Sequence, residues 1–377
     1  MLFWLLYDPV LLITMILAYV IGFTVMIIAA GYVAPRVARK FAGRFSLQAS
    51  MAILGLVVVV AGLSGIGIVA YVLASIIGLE YAAAFVLGVL LLVLVLNVFT
   101  YLLSPLMINL MYRAKPDQEL QKIVDEVAAK LGFSKPPRAV VVEGPPNAFA
   151  YGNFLAGKYV AVTRSMLAMT PLDEIKAVVG HELGHHKHRD NAIMLFMGLL
   201  PSVLYFLGIS LMRYGLVVSY ARGASSRERR EGGAGLALML AGVLAIVLSF
   251  LVQVLVLAFS RLREYYADTA GAYATSPRHM QRALARLHVY YNTRPHAAEV
   301  VQGSKLKALF IYAFTEAYAS PFYSTLAGGA GGVDIDKVVE ELRRVEREEG
   351  ISEFLATHPP IHKRIKFLDK LYSVFKP

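Results

Sequence analysis

Residues 173–190 read DEIKAVVGHELGHHKHRD, and within them His181, Glu182 and His185 form the pattern H-E-x-x-H. Positions i and i+4 share one face of an α-helix, so the two histidines can direct two imidazoles at one metal ion. Glu182 then stands beside that ion, placed to take a proton from a water. The stretch has helical character. Ile175, Val178, Val179 and Leu183 recur at helical spacing, and no proline falls between Leu172 and Asp190. Pro171 opens the helix, and Asp173 and Glu174 put negative charge in its first turn, where the helix dipole favours it. The competing reading is a histidine-rich surface helix of a soluble domain.

Composition moves the reading to a membrane. The chain is 57% hydrophobic and 17% charged, with a mean hydropathy of +0.59; ordinary soluble domains carry about a quarter charged residues. There is no cysteine, so neither a disulfide nor a thiolate ligand or nucleophile is available. The net charge of +11 fits basic flanks facing anionic lipid. No basic-aromatic cluster argues for nucleic acid, and none is expected as a partner.

Five stretches approach or exceed the roughly twenty apolar residues that span a bilayer. They are Val10 to Val33, Met51 to Ile77, Tyr81 to Tyr112, Ala192 to Met212 and Ala234 to Phe259. Arg36, Arg39, Lys40 and Arg44 follow the first span. Arg113 and Lys115 follow the third, Lys187 and Arg189 precede the fourth, and Arg261 and Arg263 follow the fifth. Five crossings put all these clusters on one side, which the distribution of basic residues assigns to the cytoplasm. The loop carrying Arg222, Arg227, Arg229 and Arg230 disagrees, and spans four and five as a hairpin that does not fully cross is the alternative.

The chain thus divides into an N-terminal membrane region of three spans (1–112), a first soluble half with the H-E-x-x-H helix (113–191), a membrane pair (192–259) and a second soluble half (260–377). In the first half a helix is expected from about Asp117 to Leu131, closed by Gly132. A short β-run follows at Ala139 to Val142, then a turn-rich loop PPNAFAYG at Pro145 to Gly152, then a strand KYVAVT at Lys158 to Thr163. In the second half Ser276-Pro277 caps a helix reaching Tyr291. A charged helix is expected near Asp334 to Glu349, and THPPIHKR precedes a last helix. The weakly patterned segment His296 to Gly332 is a candidate mobile element over the cleft.

A catalytic zinc has three protein ligands and an open position. Without cysteine the third must be His, Glu or Asp. His186 faces about 100° away from His185, whereas His188 shares the face of His181 but lies about 10 Å along the axis. The better candidate is Glu264 in SRLREYYAD (Ser260 to Asp268), where Glu264 and Asp268 stand at i and i+4. One could bind metal while the other hydrogen-bonds the outer nitrogen of a ligand histidine. Alternatively, Glu264 simply pairs with Arg261 or Arg263.

HELGHH, then a membrane pair, then SRLREYYAD resembles the HtpX family of integral membrane zinc metallopeptidases, which is related to the CAAX prenyl proteases of type 1. PPNAFAYG, KYVAVTRSML and THPP extend the resemblance, in order, from about residue 110 to 370. Three N-terminal spans, against the two common in that family, are a departure. The resemblance implies a gluzincin-like α+β peptidase domain at the membrane surface; with the five apolar stretches counted above, the fold expected is mainly α, a helical transmembrane bundle of about five spans carrying that domain. It implies one Zn2+ per chain on His181, His185 and Glu264, Glu182 as general base, and Asp268 as partner of a ligand histidine. KYVAVT would be the edge strand, with Tyr159, Val160, Ala161 and Val162 receiving substrate and Asn147 near the cleft. His358 of THPP would steady the oxyanion or simply make a turn; both readings stand.

The function expected is zinc-dependent endopeptidase action on misfolded or surplus membrane proteins or peptides. It would occur at a cytosol-facing site of a multi-pass protein of the cell (plasma) membrane; the sequence leaves the oligomeric state open. An intramembrane (site-2-type) metalloprotease is the rival enzyme. The charges of the H-E-x-x-H helix, Asp173, Glu174, Lys176, Lys187, Arg189 and Asp190, would be costly in lipid. A zinc-binding membrane scaffold or transporter is the non-enzymatic rival, and Glu182 argues against it because zinc binding alone needs no neighbouring base.

Overall fold

The structure is a computed structural model that describes residues 9–28, 47–223, 233–294, 333–346 and 358–372. The basic clusters at 36–44 and 227–230, the candidate mobile element at 296–332 and Thr357 lie outside the described residues. The described chain is mainly helical. Its elements in order are α1 (Pro9–Ile28), α2 (Leu47–Ile77), α3 (Leu79–Met111), β1 (Lys115–Pro116), α4 (Gln118–Lys130), β2 (Arg138–Val142), β3 (Ala148–Asn153), β4 (Gly157–Thr163) and α5 (Arg164–Met169). Then come α6 (Leu172–Lys187), α7 (Asp190–Gly223), α8 (Gly233–Ala274), α9 (Pro277–Thr293), α10 (Ile335–Arg344) and α11 (Ile361–Leu371). They form two compact units, one drawn from 1–99 and 194–259, the other from 100–193 and 260–377.

The first unit holds the apolar helices. Among the described residues four helices are long and apolar enough to cross a membrane: Leu47–Ile77, Leu79–Met111, Asp190–Tyr220 and Gly233–Ala274. About five spans were expected. The first of these, Val10 to Val33, is helical over Pro9–Ile28, and residues 29–33 lie outside the described set. Helices α7 and α8 pack antiparallel at backbone distance, as membrane helices do through small residues. A Cβ on Gly242 would meet the Gly208 carbonyl oxygen at 2.6 Å, and one on Gly208 would meet the Gly242 oxygen at 2.8 Å.

The second unit is α+β. Its four-stranded sheet has the order β1-β2-β4-β3, with β2 and β4 parallel and the outer pairs antiparallel. Alternation along β2 sends Ala139 and Val141 to one face and Val140 and Val142 to the other. On the first face they join Leu120 and Val124 of α4, Ile175, Val178 and Val179 of α6, Leu284 of α9, Val338 of α10 and Ile365 of α11 in one core. On the second they meet Phe149, Tyr151 and Ile108 of α3. Helix α4 starts where Asp117 accepts the Leu120 amide and stops before Gly132, whose φ of +77° suits glycine.

Two expectations are corrected. PPNAFAYG is not all turn, because Ala148–Asn153 is strand β3. Gly152, which reads as a turn residue, is needed inside the ladder: its φ is +136°, and a Cβ there would come within 2.1 Å of the Gly157 oxygen. KYVAVT is not an edge strand. Residues Tyr159, Val160, Ala161 and Val162 pair with β2 on one side and with β3 on the other, so their backbone groups are spent within the sheet. Among the described residues the sheet ends at β3. The ladder begins with the Thr163 amide donating to the Asn147 oxygen. Antiparallel alternation then turns the N–H and C=O of Ala148, Ala150 and Gly152 away from β4.

Candidate metal centre

Helix α6 carries His181, Glu182 and His185 into the core of the second unit. The C-terminal part of α8 crosses it there, and glycines let the two backbones meet. A Cβ on Gly180 would stand 2.5 Å from the Ala274 Cβ, and one on Gly184 would stand 2.9 Å from the Ala270 Cβ and 3.0 Å from the Ala267 Cα. In return, a Cβ on Gly271 would stand 2.7 Å from the Ala177 oxygen. This crossing sets Glu264, about one to three turns before those alanines on α8, opposite the two histidines.

Nitrogen and oxygen atoms of His181, His185 and Glu264 all lie within 4.8 Å of one another. Nε2 of His181 is 3.6 Å from Glu264 Oε2, Nε2 of His185 is 3.6 Å from Glu264 Oε1, and the two imidazoles stand at 90°. The far nitrogen of each ring is held by a carboxylate. His181 Nδ1 donates to Asp268 Oδ1 over 2.9 Å, and His185 Nδ1 donates to Asp190 Oδ2 over 2.6 Å. Those contacts place the Nδ1 hydrogens and leave both Nε2 atoms facing Glu264. Each carboxylate is held in turn by an arginine. Arg364 of α11 grips Asp268 with Nη2 at 2.5 Å and Nε at 2.8 Å, and Arg263 Nε is 3.0 Å from Asp190 Oδ2.

The cluster is dry. His181, Asp268 and Arg364 are 0% exposed and Glu264 is 2% exposed. Burial opposes a charge on His181, yet the Asp268 hydrogen bond and Glu264 beside it hold its pKa up at about 9. Carboxylates that favour a proton there favour any cation. His181 Nε2 has no hydrogen-bond partner although it is buried, an arrangement that costs free energy unless a partner is supplied, and a metal ion taking the place of a proton would supply one. Two imidazoles and a carboxylate with no sulfur are a donor set suited to zinc, so the residues present fit that ion.

The remaining residues sort clearly. Glu182 is buried next to His181 on α6. His358 Nδ1 is 2.9 Å from Glu264 Oε2, so the THPP segment reaches the cluster. Arg263, offered as an alternative partner of Glu264, lies against Asp190. His188 sits edge-on to Tyr266 at 4.3 Å, outside the cluster. His186 donates Nε2–H to the Tyr159 oxygen at 2.8 Å and ties α6 to the sheet; burial pushes its pKa down to about 4. Asn147 is buried at the entry of β3, its amide donating to Thr163 Oγ1. Asp190 and Arg364 were missed. The first ends the quoted stretch and reaches back five residues to His185 across the α6–α7 junction; the second ends THPPIHKR, and only the tertiary fold brings it to Asp268.

Comparisons with known proteins give the family. The model of Peptidase family M48 matches residues 114–372. A Protease HtpX homolog of Pyrobaculum aerophilum is 48% identical over 365 residues, which are 97% of this chain and 98% of that one. A Protease HtpX homolog of Archaeoglobus fulgidus is 44% identical, again over 97% and 98%. The crystal structure of S. mikatae Ste24p aligns with a TM-score of 0.47 at 20% identity, over 86% of this chain and 66% of that one. With its membrane helices, its two-histidine, one-glutamate cluster and this match along nearly its whole length, the chain belongs to peptidase family M48, as an HtpX-type membrane protease.

Proposed function

We propose that this chain is a zinc endopeptidase that hydrolyses misfolded or surplus membrane proteins at a site facing the cytosol. The observation that carries the reading is the convergence of His181, His185 and Glu264, with a carboxylate fixing the outer nitrogen of each histidine. One Zn2+ per chain would be held by those three residues. When bound, it polarises a peptide carbonyl and makes a water acidic near neutrality. Glu182 would take the proton of the attacking water and pass it to the leaving amine. His358, already beside Glu264, would donate a hydrogen bond to the oxyanion. Asp268 and Asp190 would keep the two imidazoles in their ligating orientation, with Arg364 and Arg263 behind them.

Substrate would add as a further strand at β3. Its outward amides and carbonyls at Ala148 and Ala150 recognise backbone and so tolerate many sequences. Asn147 stands at the entry of that strand. The flanks Arg113, Lys115, Lys187, Arg189, Arg261 and Arg263 favour the cytoplasmic side of the cell membrane. A site within the bilayer is disfavoured by α6 itself, whose Lys176 pairs with Glu126 and whose Glu174 pairs with Arg282 and Arg286.

Three outcomes are expected. Glu182→Gln should keep its zinc while cleavage of an unfolded membrane substrate falls about 10²- to 10⁴-fold, the usual range for loss of a general base; full activity in the purified variant would sink the assignment. Ala150→Pro should leave the thermal midpoint near wild type, because proline is tolerated on an edge. Its KM should rise about tenfold through one lost backbone hydrogen bond, and an unchanged KM would remove β3 as the docking edge. Cysteines placed singly in this cysteine-free chain test the topology. An impermeant reagent added to intact cells should label Glu80→Cys and spare Lys130→Cys, and the opposite pattern would reverse the orientation.

A further inference from the structure

The turn between β3 and β4 is built of Phe154, Leu155 and Ala156, where turns ordinarily carry Gly, Asn, Asp, Ser or Pro. Phe154 is 76% exposed and Leu155 69% exposed. The turn is nonetheless held in place. Oδ1 of Asn153 accepts the amides of Leu155 at 3.0 Å and Ala156 at 2.8 Å. Nδ2 of the same side chain donates to the carbonyls of Tyr101 at 2.9 Å and Leu102 at 3.0 Å on α3. Pro105 frees the first of these carbonyls, which also accepts the Ser104 hydroxyl at 2.9 Å. It has no N–H to give Tyr101, four residues earlier, and its ring disturbs the helix at that carbonyl. A second anchor, Tyr151 Oη to Asn109, keeps β3 running along α3 toward the turn.

Helix α3 is itself apolar enough to cross a membrane. Its run from Tyr81 to Tyr101 rises about 30 Å, the thickness of the hydrocarbon layer. Tyrosines at both ends of such a run are what membrane interfaces select. The Phe154 ring lies 6.5 Å from the Tyr101 ring, which puts the turn at that boundary. Beyond Tyr101 the helix still exposes Leu106 at 64% and Leu110 at 71%, so a boundary drawn nearer Met111 would bury the turn deeper in lipid. The exposed pair thus stands beside the exposed apolar residues at the end of α3.

We propose that Phe154 and Leu155 insert into the interfacial layer of the bilayer and fasten the β3–β4 hairpin to the membrane surface. Two adjacent apolar side chains on a rigid turn beside a membrane helix make a surface whose partner is lipid. Lipid contact there is independent of catalysis. Combined with strand addition at β3, it would hold the receiving edge where a chain leaving the bilayer first meets water.

The absence of cysteine makes the test direct. Leu155→Cys and, separately, Phe154→Cys are labelled with a nitroxide in the full chain and reconstituted into phosphatidylcholine–phosphatidylglycerol vesicles. Lys122→Cys, on the exposed face of α4, serves as the aqueous reference. Power saturation with dissolved oxygen and with a water-soluble nickel chelate should give an oxygen-to-nickel accessibility ratio several-fold higher at 154 and 155 than at 122. Nickel access at 154 and 155 equal to that at 122 would overturn the proposal. So would labels that neither reagent reaches, since the turn would then be covered by protein.

Discussion

Everything at the metal centre depends on how closely two helices can approach. Gly180 and Gly184 on α6 face Ala267, Ala270, Gly271 and Ala274 on α8, and not even a methyl on either of the first two fits without a shift. Because side-chain reach is short, the spacing of the backbones decides whether a glutamate on one helix can stand beside two histidines on the other. The x in H-E-x-x-H is therefore not free here: Gly184 occupies one of those positions and Gly180 precedes the motif. Substituting either would displace Glu264 from the histidines without touching a proposed ligand.

The second constraint is charge in a dry place. Glu264, Asp268 and Arg364 are buried together with His181, and burying ions costs free energy unless each is matched. Bidentate pairing of Arg364 with Asp268 supplies the match and fixes the acceptor that orients His181. Breaking such a buried pair from one side typically costs about 3–5 kcal/mol. The last helix, α11, is thereby tied to the centre through one side chain as well as through Ile365 and Leu368 in the core.

What could be read in the sequence was what repeats locally. The i, i+4 histidines, the adjacent glutamate and the long apolar runs are periodic signals, and SRLREYYAD followed from the chemistry of a third ligand. Contacts outside a helical or strand period were not legible. Nothing in THPPIHKR says that Arg364 reaches Asp268, and Asp190 reads as the end of a helix rather than as the partner of His185. Strand β3 was hidden because Gly152 and Asn153, ordinary turn residues, serve here as a close backbone approach and a tether to α3. The β4 pattern was legible as a strand but not as an interior one, since alternation reports the faces of a strand and not its neighbours.

The central claim is that α6 and α8 converge to hold one metal ion through His181, His185 and Glu264. Zinc content and affinity of purified Glu264→Ala and His188→Ala, measured beside the wild type, test it most directly. The account predicts one zinc per chain in the wild type and in His188→Ala, and loss of zinc in Glu264→Ala. Stoichiometric zinc of wild-type affinity in Glu264→Ala, together with its loss in His188→Ala, would contradict it.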